Sequence, residues 1–498
     1  MDNSLLNLGG FLIGGLAIFL LGMNFTSDGL QKLAGASMKN VMTRLTHNRV
    51  IGAITGAGMT AVVQSSSFVS VMVVGFASAR LLNLSQAASL IVGINVGATI
   101  TAQIIAFQVA VLSMPLIALG VCLYLFAKKE GWHFSGQVLF GLGMLFLGLE
   151  YMKDAFAPLK DNPAFYEFFI TYGDNIFLAL IVGIITTMII QASSAIIGIS
   201  IALAASGMIG FAGAVAIVLG SNIGTTLTAQ IAALKMNRTA KRAALFHTVF
   251  NVTGVVWIML FFGVFLRFVD AVTPNEADPE HIARHIANAH TIFNVLNMVV
   301  FLLVLPYLVR LVEIILPRGK YHKLKGLYPL HTAYLKAPDI ALMQVKLACI
   351  EMLELSRDNF KKYSQKNEDI INENRKNISK YLGKISRTDL TEIQSQKVPV
   401  LLHIVNDIEA IADEIKGLAD VKLDKRLESI SSELDGYLKD LIGLLNNPVR
   451  NKVIKLEENL IEFRLKRLDN IKYQGDVVHS LHDLTRRVAN IAVSSREV

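Results

Sequence analysis

The chain has 498 residues, of which 53% are hydrophobic and only 17% are charged, and its mean hydropathy is +0.49. This composition excludes an ordinary water-soluble enzyme and indicates a membrane protein. Arg80 is the only charged residue from 51 to 127, and none occurs from 175 to 234. After about Pro317, charges are scattered through leucine-rich periodic sequence. We therefore predict three regions in chain order: a membrane domain over 1–316, a linker over 317–337 and a soluble helical domain over 338–498.

The first ten residues, MDNSLLNLGG, contain no basic segment, so we expect the first apolar run to be a retained helix and not a cleaved signal peptide. The two cysteines, Cys122 and Cys349, lie in different predicted regions and indicate no disulfide framework. The net charge of +8 lies largely in short loops and in the mixed-charge tail. Membrane topology explains that excess better than a nucleic-acid partner does, and we expect no nucleic acid to bind.

Seven segments reach the roughly 20 apolar residues that a membrane-spanning helix needs. They lie near residues 9–30, 84–107, 109–127, 136–156, 208–234, 243–268 and 288–316. The connecting loops alternate in charge. The basic loops contain Lys32, Lys39, Arg44, Arg49, Lys128, Lys129, Lys235, Arg238, Lys241 and Arg242. The acidic loops contain Asp154, Asp161, Glu167, Asp174 and the segment DAVTPNEADPE. Because basic loops stay in the cytoplasm, we predict a multi-pass protein of the cell (inner) membrane with its N-terminus outside and its C-terminal domain cytoplasmic.

Two serine-rich segments do not fit an ordinary span: TAVVQSSSFVSV begins at Thr60 and TTMIIQASSAII at Thr186. A single helix over residues 51–79 would be about 43 Å long at 1.5 Å per residue. The hydrocarbon core is only about 30 Å thick. A break at residues 64–67 instead gives two half-helices of about 20 Å. We therefore predict a re-entrant hairpin, since non-helical backbone at that depth must lie inside protein or beside a watery cavity.

The second serine segment belongs to an internal repeat. Gln191 lies 127 residues after Gln64, and the same shift aligns GINVGATITAQI with GSNIGTTLTAQI without a gap. Each unit reads as helix, hairpin, helix, helix, which makes three crossings and predicts that the second copy is inverted. We place repeat one at about 9–127, repeat two at about 136–268 and an extra span at about 288–316. The predicted fold is thus an all-α polytopic membrane protein with two inverted repeats, each containing a re-entrant helical hairpin, followed by a soluble helical bundle.

The predicted hairpin tips offer binding chemistry. Each new helix N-terminus presents unpaired N–H groups and a positive dipole, which suit an oxyanion. Each preceding C-terminus presents free carbonyls, which suit a hard cation such as Na+. Arg80 is the lone fixed charge nearby, either as a basic anchor at the membrane interface or as a functional group. Helix packing is the alternative role for the serines.

Further polar residues follow the hairpins at equivalent positions. We expect many of them to line the site and the rest to bond helix to helix: Asn95, Thr99, Thr101, Gln103, Asn222, Thr226, Thr228 and Gln230. A second repeated phrase, FHTVFN and AHTIFN, places His247 with Asn251 and His290 with Asn294 four residues apart on one helical face. Polar contacts joining these helices to the core are the favoured interpretation, ahead of a metal pair or a minor role in the transport path.

These motifs resemble the type II sodium–phosphate cotransporter family, whose hallmark is a paired QSSS motif in two inverted re-entrant hairpins. The first copy is intact, whereas Ala192 replaces a serine in the second. The paired NxGxTxTA runs, 95–102 and 222–229, and the His-x-x-Phe-Asn phrase are also similar, over roughly residues 9–316. The resemblance implies phosphate transport coupled to Na+ across the lipid bilayer, without an organic cofactor. It implies a substrate and sodium site at Gln64, Ser65, Ser66, Ser67, Gln191, Ser193 and Ser194.

The tail resembles a PhoU-type helical bundle. In NDIEAIADEI, Glu409 and Asp413 lie one helical turn apart, where PhoU proteins carry a metal-associated acidic motif. The expected second copy, LHDLTRRVANIA, keeps Asp483 but has Ala489 and Asn490 in place of an acidic partner. A plain amphipathic bundle is therefore the default, and metal binding at Glu409 and Asp413 is the alternative.

We interpret the chain as a sodium-coupled secondary transporter of inorganic phosphate that works by alternating access, not as an enzyme. The alternatives are a phosphate exporter and, from a different class, a membrane phosphate sensor that signals through its tail. An intramembrane serine hydrolase is excluded because neither hairpin contains a His, Asp, Glu or Lys to act as a base. The sequence leaves open the stoichiometry, the choice among phosphate, arsenate and sulfate, and a homo-oligomer.

Overall fold

The computed structural model divides into two compact units, Met1–Arg318 and Gly319–Val498. The structure describes residues 3–34, 46, 48–78, 81–107, 110–156, 175–234, 236, 238–273, 281–317, 330, 332–336, 338–388, 390–418, 425–446, 450–468, 475–495 and 497. Within these residues the chain is helical and contains no strand. An all-helical polytopic fold is therefore confirmed for the part of the chain that the structure describes.

The first unit contains twelve α-helices in its described residues. They are α1 (Asn3–Ala34), α2 (Arg49–Val63), α3 (Ser66–Ser78), α4 (Leu84–Ala106), α5 (Ser113–Phe126), α6 (Glu130–Phe156), α7 (Ile176–Ile190), α8 (Ser193–Ala205), α9 (Phe211–Ala233), α10 (Arg238–Leu260), α11 (Phe262–Val272) and α12 (Ile282–Ile315). Six of them are long and apolar enough to cross a membrane, namely the helices over 10–34, 84–106, 130–156, 211–233, 238–260 and 282–315.

Two of the seven expected spans differ from the structure. The segment near 109–127 forms only a 14-residue helix, α5, after a short 3-10 turn at Ala110–Leu112. Pro115 lies in the first turn of α5, has no N–H to donate to the Val111 carbonyl and would clash with it in a longer helix, which limits extension of α5 toward the N-terminus. The segment near 243–268 is interrupted at Phe261. The backbone of this residue is not helical (φ −115°, ψ 26°), and it separates α10 from α11.

The first serine segment forms two short helices that reverse the chain. Helices α2 and α3 have 15 and 13 residues, about 22 and 20 Å, and are shorter than a bilayer core of about 30 Å. Helix α2 runs parallel to α4, because a Cβ at Gly93 or Gly97 would collide with the carbonyl of Ala53 or Ala57, respectively. Since α4 follows α3 directly and starts beside the start of α2, the chain returns through α3 toward the end at which α2 began.

The same packing recurs 127 residues later. A Cβ at Gly220 would collide with the Leu180 carbonyl, and one at Gly224 would lie 2.7 Å from the Ile184 carbonyl oxygen. Helix α7 therefore runs parallel to α9 just as α2 runs parallel to α4. Only glycine permits such close backbone approach, so the paired glycines determine how each short helix docks on the longer one.

The contacts also fix the directions of the long helices. Helix α4 is antiparallel to α12, since Gln103 bonds Asn288 and the Arg284 guanidinium lies 5.5 Å from the Phe107 ring centroid. Helix α12 is antiparallel to α10, because Trp257 bonds Asn297 while Arg242, near the start of α10, bonds the Leu316 carbonyl after α12. Helix α10 begins at Arg238, soon after α9 ends at Ala233, and it packs back against α9, where Gln230 donates to Thr248. Helices α4 and α9 therefore run in opposite directions.

The second unit is a set of amphipathic helices: α13 (Pro338–Lys361), α14 (Gln365–Ile385), α15 (Glu392–Leu418), α16 (Lys425–Asn446), α17 (Arg450–Phe463) and α18 (Gly475–Ser494). Their buried faces are aliphatic, with Ile378, Ile408, Leu438 and Leu484 fully enclosed. Arg357 donates to both carboxylate oxygens of Asp435 (2.6 and 2.7 Å) and thereby lowers the pKa of that carboxyl. This bidentate pair ties α13 to α16.

Candidate binding site at two helix breaks

Both helix breaks have the same backbone geometry. Gln64 (φ 55°, ψ 28°) and Gln191 (φ 57°, ψ 26°) occupy the left-handed region, and no other non-glycine residue in the described part of the chain has a positive φ. Each donates its backbone N–H to the carbonyl four residues earlier, Thr60 at 2.8 Å and Thr187 at 2.7 Å. A left-handed non-glycine residue costs on the order of 1 kcal/mol, and such strain clusters at functional sites.

The residue after each glutamine differs between the two breaks. Ser65 precedes α3, and its Oγ accepts a hydrogen bond from the backbone N–H of Phe68 (3.3 Å). Ala192 occupies the N-cap position of α8 in an extended conformation and makes no side-chain cap. The hydroxyl that Ala192 lacks is therefore a helix cap in the first repeat, a role that the motif alone did not reveal.

The remaining motif serines lie in the first turns of α3 and α8. Ser66, Ser67, Ser193 and Ser194 are all half-buried. Their helix N-termini have backbone N–H groups without helical partners and carry the positive end of the helix dipole. Ser194 donates to the Sδ of Met23 on α1 (2.6 Å). Each break can thus offer N–H and hydroxyl donors to an anion.

Two threonines add buried oxygen atoms just before the breaks. Thr60 and Thr187 are fully enclosed, and the Oγ1 of each has no hydrogen-bond partner among the described residues. Buried polar atoms without partners are rare in folded proteins. Their duplication one turn before each glutamine distinguishes both breaks from ordinary helix ends.

The glutamine side chains themselves are placed differently. Thr101 Oγ1 on α4 donates to Gln64 Oε1 (2.8 Å), and Gln64 Nε2 donates to the Ala61 carbonyl. Gln64 is half-buried, whereas Gln191 is exposed. Thr228, which corresponds to Thr101, has a buried Oγ1 without a partner in the described residues. The two repeats therefore share a backbone but not a side-chain arrangement.

Polar residues of α4 and of α9 each contact both His-x-x-Phe-Asn phrases, the one on α10 and the one on α12. Helix α4 contacts both phrases, through Asn95 Nδ2 to Asn251 Oδ1 (2.6 Å) and Gln103 Nε2 to Thr291 Oγ1 (2.9 Å). Helix α9 does likewise, since Gln230 Nε2 donates to Thr248 Oγ1 (2.8 Å). Asn222 Oδ1 lies 3.5 Å from Nε2 of the buried His290. These contacts confirm that the phrases join α10 and α12 to the core.

The two histidine phrases also contain the same internal hydrogen bond, because Asn251 and Asn294 each donate to the carbonyl of the histidine one turn earlier, at 3.0 and 2.9 Å. By contrast, Thr99 and Thr226 bond only carbonyls of their own helices. Sequence reasoning missed Thr248, Thr291 and Asn288, although the 43-residue repeat of the His-Thr pair was a signal for the first two.

Two other candidates lie elsewhere. Arg80 is outside the described residues. In the second unit, Glu409 forms an ion pair with Arg375 (3.5 Å), and the described residues contain no group of three or more His, Cys, Asp or Glu that could hold a metal. Burial raises the pKa of the enclosed Glu368, and the negative charges of Asp413 and Glu409 raise it further. Metal binding at Glu409 and Asp413 stays a prediction.

Comparison with known proteins identifies the family. The model described as "Na+/Pi-cotransporter" matches residues 18–154 and 162–300, more than half of the chain. The chain belongs to this family. No solved structure matches it.

Three relatives illustrate the range of the family. The Bacillus subtilis protein YqeW is 32% identical over 262 residues, which cover 53% of this chain and 85% of YqeW. The Escherichia coli protein named "Putative inorganic phosphate export protein YjbB" is 29% identical over 250 residues, 50% of this chain and 46% of that protein. The rabbit (Oryctolagus cuniculus) "Sodium-dependent phosphate transport protein 2A" is 34% identical over 99 residues, 18% of this chain and 15% of that protein. The chain thus matches only about half, or less, of the relatives whose names give an activity.

Proposed function

We propose that the chain is a sodium-coupled secondary transporter of inorganic phosphate. The observation behind this proposal is the duplicated helix break, in which a left-handed glutamine precedes a serine-bearing helix N-terminus. Two such N-termini offer N–H groups and hydroxyls to a tetrahedral oxyanion. The substrate and sodium site comprises Gln64, Ser65, Ser66, Ser67, Gln191, Ser193 and Ser194.

The α2–α3 and α7–α8 hairpins are re-entrant and enter the bilayer from opposite sides. The shortness of their helices supports the first point, and the opposite directions of α4 and α9 support the second. The alternating loop charges favour an outside N-terminus and a cytoplasmic C-terminal unit in the cell membrane. Inverted repeats with broken helices place their binding site near the bilayer midplane.

Sodium ions compensate the charge of the substrate in this scheme. No charged residue lies between positions 175 and 234, and Arg80 is alone between 51 and 127, so the hairpins contain no arginine clamp at their tips. Moving one net negative charge into an inside-negative cell costs about 2.3 kcal/mol per 100 mV. Co-transported Na+ offsets that cost, and the hydroxyl oxygens of Thr60 and Thr187 are suitable Na+ ligands.

Net phosphate export is the second candidate. One specific observation favours it: several relatives that match half of this chain are named for inorganic phosphate export. Alternating access is reversible, so the same site serves either direction, and the ion gradients set which direction dominates. The PhoU-like cytoplasmic unit would then regulate opening of the pathway.

Phosphate flux into proteoliposomes tests the proposal. Purified protein is reconstituted, and radiolabelled phosphate uptake is followed with and without an inward Na+ gradient. We expect uptake that rises steeply with the gradient. Flux that is indifferent to Na+ would refute sodium coupling, and phosphate binding without any flux would favour a sensor.

A further inference from the structure

The pairs Thr101–Gln64 and Thr228–Gln191 occupy equivalent positions in the two repeats, but only the first pair is hydrogen-bonded. Thr101 and Thr228 both lie in the last two turns of their helices, α4 and α9. One turn before them, Gly97 and Gly224 pack against Thr60 and Thr187, which lie one turn before each glutamine. In the first repeat, Thr101 holds Gln64 by a 2.8 Å hydrogen bond. In the second, Thr228 keeps a buried hydroxyl without a described partner while Gln191 is exposed.

We propose that the Thr–Gln hydrogen bond is a latch that forms in one repeat at a time, so that Thr101 and Thr228 act as positioning residues for alternating access. The inference rests on the proposed transport function. An unpaired buried hydroxyl is costly, and Gln191 is the group whose counterpart satisfies the equivalent hydroxyl. In this proposal the Thr228–Gln191 hydrogen bond forms in another conformation of the second repeat.

The two latches lie toward opposite ends of the membrane unit. Helix α4 ends at Ala106, and the next residue, Phe107, contacts Arg284 near the start of α12. Helix α9 ends just before α10, where Arg238 donates to the carbonyl of Pro317 after the end of α12. Since α12 separates these two ends, the Thr101 latch draws the first tip toward one face and the Thr228 latch draws the second toward the other.

The latch states assign a conformation to the structure. With the N-terminus outside, the Thr101 end of α4 is the outer end and the Thr228 end of α9 is the cytoplasmic end. In this scheme a formed Thr101–Gln64 bond closes the outer path, and a released Thr228–Gln191 pair leaves the cytoplasmic path open. The proposal thus assigns the structure to the inward-facing state, and exchange of the latches would produce the outward-facing state.

Side-specific cysteine labelling tests the latch. Ala192→Cys reports on the second tip in a background with Cys122→Ala and Cys349→Ala, using a membrane-impermeant maleimide in inverted vesicles and in spheroplasts. Loss of one hydrogen bond changes a two-state ratio about two- to tenfold. Thr101→Val should lower labelling in inverted vesicles by that factor and raise it in spheroplasts. Thr228→Val should shift labelling the opposite way.

Two controls keep the result interpretable. Thr225→Ala removes a buried hydroxyl from α9 that bonds only the Ser221 carbonyl (2.8 Å), and repeat one has Ala98 at the equivalent position, so this variant should not shift labelling. Thr101→Ser keeps the hydroxyl and should restore the original pattern, which separates latch loss from misfolding. Shifts in the same direction for both valine variants, or shifts no larger than that of Thr225→Ala, would overturn the proposal. Labelling needs neither phosphate nor Na+, so its outcome stands apart from the flux assay.

Discussion

The first helix break binds the side chains of its glutamine and of the serine that follows, whereas the second leaves the equivalent glutamine exposed and has an alanine in place of that serine. At the first, Ser65 caps α3 and Gln64 accepts from Thr101. At the second, Ala192 offers no cap and Gln191 is exposed, although the backbone angles of the two glutamines agree within a few degrees. The comparison teaches that the backbone of this site is duplicated while its polar side chains are not, which lets two equivalent halves occupy different states.

The largest expected effect concerns the glycine-mediated helix packing that the two repeats share. Gly93→Ala and Gly220→Ala each place a Cβ against a backbone carbonyl of the partner helix, so neither helix pair can pack as it does. We expect each variant to lose about 3 kcal/mol of stability, measured by thermal unfolding in detergent. Gly58→Ala is the matched control, because a Cβ there meets nothing within 4 Å. A large loss in one repeat alone would break the equivalence of the two halves.

A smaller effect concerns the anion. Ser66→Ala and Ser193→Ala each remove one hydroxyl from a helix N-terminus, and a hydrogen bond to a charged group is worth about 1.5–3 kcal/mol. We expect the KM for phosphate uptake to rise about tenfold or more in each variant. Ser200→Ala serves as control, since its buried hydroxyl bonds only the Ile196 carbonyl of its own helix. An unchanged KM in both variants would show that these serines pack helices and do not bind phosphate.

The smallest effect concerns the cap. Ser65→Ala should lower stability by about 1 kcal/mol because Phe68 loses its acceptor, and Ala192→Ser should raise it by a similar or smaller amount. Thermal unfolding of the two variants beside the unmodified chain measures both changes. Equal effects of opposite sign would show that the two breaks differ only in capping. A loss of stability on Ala192→Ser would instead show that the second break has no room for the hydroxyl.

Sequence reasoning reached the local features of the site and missed its long-range pairings. The break after residue 63 and the 127-residue shift follow from length, polarity and spacing, and the structure reproduces the shift in the contacts of Gly93 and Gly220. The bond of Gln103 to Thr291 was beyond reach, because it joins residues 188 positions apart and depends on how α4 and α12 cross.

The membrane spans show the same division. The long spans were placed from hydropathy, but the interruption at Phe261 was not, since a helix that is apolar on both sides of a break gives no signal in composition. The cap made by Ser65 was missed for another reason: in a repeated polar motif a serine is interpreted as a ligand until the position of the Phe68 N–H is known.

The central claim is that both breaks form one sodium-coupled phosphate site. Its most direct test is Na+-gradient-driven phosphate uptake into proteoliposomes by the unmodified chain and by a Ser66→Ala/Ser193→Ala double variant, each verified as folded. The account predicts gradient-dependent uptake by the unmodified chain and little or none by the double variant at the same phosphate concentration. Uptake that ignores the Na+ gradient, or equal uptake by the two proteins, would contradict it.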